Sequence, residues 1–177
     1  MNVFILNPGR CGSTTFIRAC RHITNYSAGH ESRVNLTGDE RLAYPPDHIE
    51  ADNRLSWLLG RLERRFGDDA LYVHLSRTRQ ASVESFSRRA HFGIMQAYRA
   101  GILLGGRQQS DREIALDYLE TVDSNIALFL KDKTHKMDFR LEHAKQDFPL
   151  FWELIGAQGD LVKALAEWDI RYNASTN

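Results

Sequence analysis

Apolar residues along this chain occur both in short continuous runs and at helical spacing. Residues 3–6 (VFIL) and 71–75 (LYVHL) are runs of strand length, and a polar turn follows each of them. Such runs are typical of strands that are buried on both faces, as in a parallel sheet. We therefore predict strands at 3–6 and 70–76, together with a weaker one at 22–27.

Most of the remaining chain has apolar residues three and four positions apart, which favours helices. A capping-box pattern, Ser110-x-x-Glu113, predicts the start of a long helix. Further helices are predicted at 13–21, 51–66, 80–90, 147–155 and 160–168, with an edge strand at 136–142. This alternation predicts a single α/β domain over residues 1–177, with three layers around a central, mainly parallel sheet.

Composition removes several classes of function. The chain has 23 Lys+Arg and 23 Asp+Glu, so its net charge of zero argues against binding to nucleic acid or to an anionic membrane. The apolar run at the N-terminus is too short for a signal peptide and lacks a basic region before it, and no run approaches the ~20 residues of a membrane span. With only two cysteines, we expect free thiols and a cytoplasmic protein.

The segment after the first predicted strand has the features of an anion site. It reads NPGRCGSTT over residues 7–15, a glycine-containing turn that leads into a helix with three hydroxyl residues. The first N–H groups of a helix lack intrahelical partners, and the helix dipole places partial positive charge there. Gly9 and Gly12 allow the backbone to approach an anion closely, and Arg10 supplies a planar guanidinium for its oxygens.

Two common phosphate loops do not fit this segment. A Walker A loop requires a lysine directly after its second glycine, whereas Ser13 follows Gly12. A cysteine phosphatase loop places arginine six positions after the nucleophile, but Ile17 stands six positions after Cys11. Typical ATP kinases and cysteine phosphatases are therefore disfavoured.

A second segment, YVHLSRTRQASVESF over residues 72–86, has Arg77 closing a predicted strand and Ser85 eight positions later in the next helix. Together the two segments resemble the sulfotransferase family. That family has a 5′-phosphosulfate loop of the form P-[KR]-[SC]-G-[ST]-[ST], and a 3′-phosphate segment in which serine follows a strand-ending arginine by eight residues. The sequence FRLEH at 139–143 extends the resemblance more weakly.

The resemblance implies a P-loop-like sulfotransferase fold, of the small bacterial type, that uses the donor 3′-phosphoadenosine-5′-phosphosulfate (PAPS). The product nucleotide would be 3′-phosphoadenosine-5′-phosphate (PAP), no metal would be needed, and the acceptor would be a hydroxyl of a small molecule or carbohydrate. The implied 5′-side residues are Arg10, Cys11, Gly12, Ser13, Thr14 and Thr15, and the implied 3′-phosphate residues are Arg77 and Ser85. Arg10 would also stabilise the leaving group.

The catalytic base is predicted to lie in the segment after the first helix. Some bacterial carbohydrate-type members of the family have a catalytic Glu about twenty residues after the loop, and Glu31 matches that position. His30 is the second candidate and His48 the third. Two other functions stay open: a divergent P-loop nucleotide-dependent kinase, and a nucleotide-binding module without activity.

Overall fold

The sheet consists of five parallel strands. The structure is a computed structural model that describes residues 1–106, 108–170 and 172, and within them the strand order is β2-β3-β1-β4-β5. The strands are β1 (Val3–Leu6), β2 (Ser27–His30), β3 (His48–Ala51), β4 (Leu71–Ser76) and β5 (Lys136–Arg140). The strands predicted at 3–6, 70–76 and 136–142 are confirmed, and the last lies at an edge of the sheet.

Helices cover both faces of this sheet. They are α1 (Ser13–Cys20), α2 (Leu59–Phe66), α3 (Arg79–Ser87), α4 (Gly93–Ala97), α5 (Asp111–Leu130), α6 (Ala144–Leu154) and α7 (Leu161–Ala166). On one face, α1, α6 and α7 pack around Phe16 and Phe148. On the other face, α2, α3 and α5 pack around Phe4 and Tyr118. The prediction of three layers around a parallel sheet is therefore confirmed.

The predicted capping box at the start of α5 is also confirmed. The Ser110 hydroxyl accepts the Glu113 N–H at 3.3 Å, and the Glu113 carboxylate accepts the Ser110 N–H at 2.8 Å. The two side chains satisfy backbone donors that the first turn of the helix would otherwise leave unpaired. A local sequence pattern was sufficient here because the interaction itself is local.

The helix predicted over 51–66 is wrong in its first half. Residue 51 ends β3, Asn53–Trp57 form a short 3₁₀-helix, and α2 begins only at Leu59. The cause is Asp52, which is fully buried, accepts the Arg54 N–H at 2.9 Å and forms an ion pair with Arg41. These contacts fix a turn that the spacing of leucines could not reveal.

The strand predicted at 22–27 is displaced toward the C-terminus. Ser27 begins β2 and pairs with His48 of β3, whereas Ile23 makes only an isolated antiparallel bridge to Gly159. The strand has the sequence SAGH, which has little apolar character of its own. Pairing with the buried strand β3 determines where β2 lies.

Because the five strands are parallel, their carboxyl ends all lie at the same edge of the sheet. Strands β1 and β4 are neighbours, with Leu6 paired to His74. The helix that follows β1 packs on one face of the sheet, and the helix that follows β4 packs on the other. Ligands of open α/β sheets bind outside the carboxyl ends of strands at such a divergence.

Candidate functional site

Asn7, the first residue after β1, fixes the loop that follows through its hydrogen bonds. This fully buried side chain donates to the Ile5 carbonyl at 2.9 Å and accepts the Gly9 N–H at 2.9 Å. Its backbone N–H and carbonyl both bond to the Ser56 hydroxyl, at 3.3 Å and 3.0 Å. Because these groups are buried and paired, the loop leaves the sheet in one defined direction.

Three residues of the loop have a left-handed backbone. The φ angles of Gly9, Arg10 and Gly12 are 98°, 59° and 94°. A β-carbon at Gly12 would lie 2.6 Å from Cδ1 of Leu141, and one at Gly9 would lie 3.3 Å from the Asn53 amide nitrogen. The tight turn that the two glycines suggested in the sequence is therefore required by both conformation and packing.

Helix α1 begins directly at this loop. Gly12 is its N-cap, no side chain caps it, and its first turn contains no acidic residue. Phe16 donates to the Gly12 carbonyl at 2.9 Å, while Ser13 and Thr14 are partly exposed and Thr15 is buried. The end of the helix thus carries the partial positive charge and the hydroxyl groups expected of an anion site.

Four arginines gather beside the loop. Burial, followed by the guanidinium groups of Arg89 and Arg77 and, more weakly, Arg88, lowers the pKa of Arg10. Like charges concentrated in this way in a net-neutral protein favour a polyanionic ligand. Sequence analysis had assigned Arg10 and Arg77 to opposite ends of one nucleotide, and the structure brings both into this cluster.

Ser85 connects the loop after β1 to α3 directly. Its hydroxyl accepts a hydrogen bond from Nε of Arg10 at 3.3 Å, although the two residues belong to α3 and the loop after β1. The resemblance assigned Ser85 to the 3′ phosphate alone. In the structure its hydroxyl contacts Arg10, a residue that the resemblance assigned to the 5′ side.

The turn after β4 is held by the short 3₁₀-helix Leu141–His143 that follows β5. The Glu142 carboxylate accepts the Thr78 N–H at 2.9 Å. Burial of Glu142 opposes ionisation, but the hydrogen bonds from Thr78 and the positive charge of Arg77 outweigh it and lower the pKa of Glu142. Glu142 therefore stays ionised next to Arg77 and fixes the direction of this turn.

The three candidate bases have different surroundings. Glu31 follows β2 directly, and its carboxylate lies 3.1 Å from Arg54. His30 points toward the loop, with Nε2 3.1 Å from the Ser13 hydroxyl and 3.5 Å from that of Thr14. His48 is buried within β3 and bonds to Glu50 at 3.0 Å, so its imidazole is engaged inside the fold.

Aromatic residues from distant segments support the loop from the side of α5. The buried Tyr118 hydroxyl donates to the Pro8 carbonyl at 2.6 Å. Trp57 and Tyr98 pack against the Tyr118 ring, with centroid distances of 6.3 Å and 5.3 Å. Sequence analysis did not single out Tyr118, because nothing local in the sequence indicates a contact with Pro8, 110 residues away.

Cys11 is part of the loop but is not placed as a nucleophile. Its side chain is fully buried, and its thiol donates to the Asn7 side-chain oxygen at 3.4 Å. Burial raises the pKa of Cys11 to about 12. A thiol that stays protonated at neutral pH supports the loop by packing and cannot act as a thiolate nucleophile there.

Metal-ligating side chains and long apolar helices are the features that would indicate two other classes of site. Over residues 1–106, 108–170 and 172, no three His, Cys, Asp or Glu side chains are grouped so that they could hold a metal ion. Over the same residues, no helix is both long and apolar enough to cross a membrane.

Comparison with solved structures shows which fold this is. The chain aligns with a "Sulfotransferase Domain from the Curacin Biosynthetic Pathway" at a TM-score of 0.64, over 99% of this chain and 80% of that one. The protein has a sulfotransferase-like fold. The two sequences are only 15% identical, so the likeness concerns the fold alone. No protein-family model matches the sequence, and no curated protein matches it.

The strand order of this fold shows where the Arg10 loop, Arg77 and Glu31 lie relative to one another. The loop of Arg10 follows the central strand β1, and the turns of Arg77 and Glu31 follow strands on either side of it. An anion held at α1 would therefore have the arginine cluster on one side. The Glu31–Arg54 pair and His30 would lie on the other side.

Proposed function

We propose that the protein is a sulfotransferase that moves a sulfuryl group from PAPS to a hydroxyl of a small-molecule or carbohydrate acceptor. The observation that carries this proposal is the junction of the two phosphate segments, where Arg10 bonds to Ser85 within a cluster that includes Arg77. PAPS has phosphate groups at both the 5′ and 3′ positions of one nucleoside. Two adjacent cationic turns suit such a ligand better than they suit a single phosphate.

In this proposal the chain's residues bind, orient and neutralise charge. The acceptor oxygen attacks sulfur in line, the bond from sulfur to the bridging phosphate oxygen breaks, and PAP leaves. Arg10 and the N-terminus of α1 stabilise the charge that develops on the leaving phosphate. Glu31 takes the acceptor proton, and Arg54 holds its carboxylate at 3.1 Å.

Ligand binding separates this function from an ATP-dependent kinase. Calorimetry with PAP and with ATP, each with and without magnesium, is expected to show metal-independent binding of PAP in preference to ATP. A preference for ATP that depends on magnesium would overturn the assignment. If PAP binds but labelled PAPS sulfates no acceptor in a panel of phenols, alcohols and glycosides, the protein is a binding module without activity.

The 3′-phosphate contact is tested by Arg77→Ala. Loss of a charge-assisted hydrogen bond of about 1.5–3 kcal/mol should weaken PAP binding by roughly 10- to 100-fold. Binding of adenosine 5′-phosphosulfate, which lacks the 3′ phosphate, should change little. Arg79→Ala is the matched control, because Arg79 pairs with Glu120 at 2.8 Å on the surface of α3. Equal weakening of both nucleotides by Arg77→Ala would contradict the contact.

The base is tested by Glu31→Gln beside His30→Asn. Glu31→Gln should keep PAP affinity and lower turnover by about 10²–10⁴-fold, the range for loss of a general base. Glu40→Gln, at an exposed position of the 3₁₀-helix Gly38–Leu42, is the control. Full turnover in Glu31→Gln together with loss in His30→Asn would transfer the role of base to His30.

A further inference from the structure

Glu50 is a buried carboxylate with no place in the mechanism above. It lies in β3 and is fully inaccessible to solvent. Burying a charged carboxylate is costly unless donors compensate it. Its surroundings therefore indicate what holds this charge inside the protein.

Three hydrogen bonds satisfy the Glu50 carboxylate, and two of them come from one residue. Ser32 donates its backbone N–H at 2.8 Å and its hydroxyl at 2.5 Å. The third is from Nε2 of His48 at 3.0 Å. Burial opposes ionisation of Glu50, but the bonds from His48 and Ser32 outweigh it and lower its pKa. Glu50 is therefore an anion at neutral pH.

Ser32, which these bonds hold against Glu50, directly follows Glu31 in the chain. Glu31 has a φ angle of 53°, a left-handed conformation that is strained for a residue with a side chain. Its own N–H donates to the Ala51 carbonyl at 3.0 Å, and the next N–H donates to Glu50. The strained residue is thus fixed from both sides by β3.

Strand β2, which pairs with β3, leaves space beside the Glu50 carboxylate. Gly29 pairs with Glu50 across β2 and β3. A β-carbon at Gly29 would lie 2.6 Å from the Glu50 carboxylate and 3.0 Å from the Ser32 hydroxyl. A glycine at this position gives the carboxylate room to reach Ser32.

We propose that Glu50 is a positioning residue that aims the Glu31 carboxylate by holding the turn at residues 29–32. This inference rests on the proposed function for its catalytic part, because the role of Glu31 does. Glu50 itself does not touch the substrate. It acts through Ser32 on the backbone of Glu31, and the pair between Glu31 and Arg54 depends on that backbone.

The first test measures the turn without any reaction. Amide hydrogen exchange at Ser32 should accelerate in Glu50→Gln, since the carboxamide has no charge and only one acceptor oxygen, which weakens the hydrogen bond that the Ser32 N–H makes to the charged carboxylate. Ser27→Ala is the control. It removes the hydroxyl that lies 2.8 Å from Nδ1 of His48 and leaves the bonds between Glu50 and Ser32 in place. Unchanged exchange at Ser32 in Glu50→Gln would overturn the proposal.

The second test measures turnover with labelled PAPS and an acceptor found in the panel. Glu50→Gln should lower kcat by about tenfold or more, as small misplacements of a reacting group do, with the Kd for PAP within about twofold of wild type. In the Glu31→Gln background, the same substitution should cause no further loss. An equal loss in both backgrounds would show that Glu50 acts independently of Glu31, and the proposal would fall.

A further variant covers the case in which Glu50→Gln does not fold. Ser32 is exposed, so Ser32→Ala should fold, lower kcat severalfold and leave PAP binding unchanged. Wild-type kcat in this variant would count against the proposal. If PAP does not bind and no acceptor is sulfated, the proposed function fails, while hydrogen exchange still decides whether Glu50 orders the turn.

Discussion

At the scale of single residues, the candidate site contains residues that their neighbours hold in strained backbone conformations. Arg10 and Glu31 both have positive φ angles although neither is a glycine. Each is fixed by neighbours: Arg10 bonds to Ser85, and the backbone of Glu31 bonds to β3. Backbone strain of this kind concentrates at functional sites because the surrounding structure compensates for it.

Cys11 gives a prediction at the same scale. Because burial raises its pKa to about 12, the thiol should resist iodoacetamide at pH 8 in the native protein. Cys20 is also fully buried, with a raised pKa, and should resist too. Mass spectrometry before and after denaturation checks this, with complete alkylation expected only in urea. Rapid alkylation of Cys11 in the native protein would contradict this prediction. It would also reopen the cysteine phosphatase hypothesis, which was disfavoured because Ile17 and not arginine stands six positions after Cys11.

At the scale of elements, the long helix α5 contacts the loop after β1 in addition to packing on the sheet. Its Tyr118 contacts the carbonyl of Pro8, so the loop after β1 is supported by a helix from the second half of the chain. The rings of Phe86, Trp57 and Tyr98 surround Tyr118. The position of the loop is therefore set by packing between elements as well as by its own glycines.

Tyr118→Phe should destabilise the protein and loosen the loop. It leaves the buried Pro8 carbonyl without this donor, at a cost of about 1–3 kcal/mol in the free energy of unfolding. Urea denaturation measures that cost, and calorimetry should show weaker PAP binding. Tyr72→Phe is the matched control: its hydroxyl bonds to the Gly67 carbonyl at 2.9 Å, before β4 and away from the loop. A parallel loss of PAP affinity in the control would mean that the effect is one of general stability.

At the scale of the whole molecule, several carboxylates couple the fold to pH. Hydrogen bonds from His48 and Ser32 outweigh the burial of Glu50 and lower its pKa, and the bond from Ser110 lowers that of Glu113. A carboxyl group whose pKa is lower in the folded state stabilises the protein above its unfolded pKa, about 4.3 for Glu. That contribution is lost as pH falls through the folded pKa.

The urea midpoint should therefore be steady from pH 7 to 5 and should fall between pH 5 and 3. Glu50→Gln should reduce the steepness of this fall, because the carboxamide does not titrate in that range. Circular dichroism at a series of urea concentrations and pH values makes the measurement. A midpoint independent of pH down to 3 would contradict the hydrogen bonding described for these carboxylates.

The sequence allowed the architecture to be predicted because its signals are local, whereas phosphate binding at the two segments stays a prediction. Apolar runs gave β1 and β4, and the loop pattern gave Arg10 and its hydroxyl neighbours. The turn at Asp52 was mispredicted, since its cause is a buried ion pair with Arg41. The roles of Glu50 and Tyr118 were not predictable either, because each depends on a partner that only the folded chain brings near.

The place of β1 at the centre of the sheet also has a consequence for biosynthesis. Val3 pairs with Ile49 on one side and with Leu71 on the other, so this strand is unpaired until β3 has left the ribosome and lacks its second partner until β4 has followed. Non-local parallel pairing of this kind slows folding, and an unpaired apolar strand is prone to aggregation meanwhile. The nascent chain should therefore benefit from a chaperone until β4 has emerged.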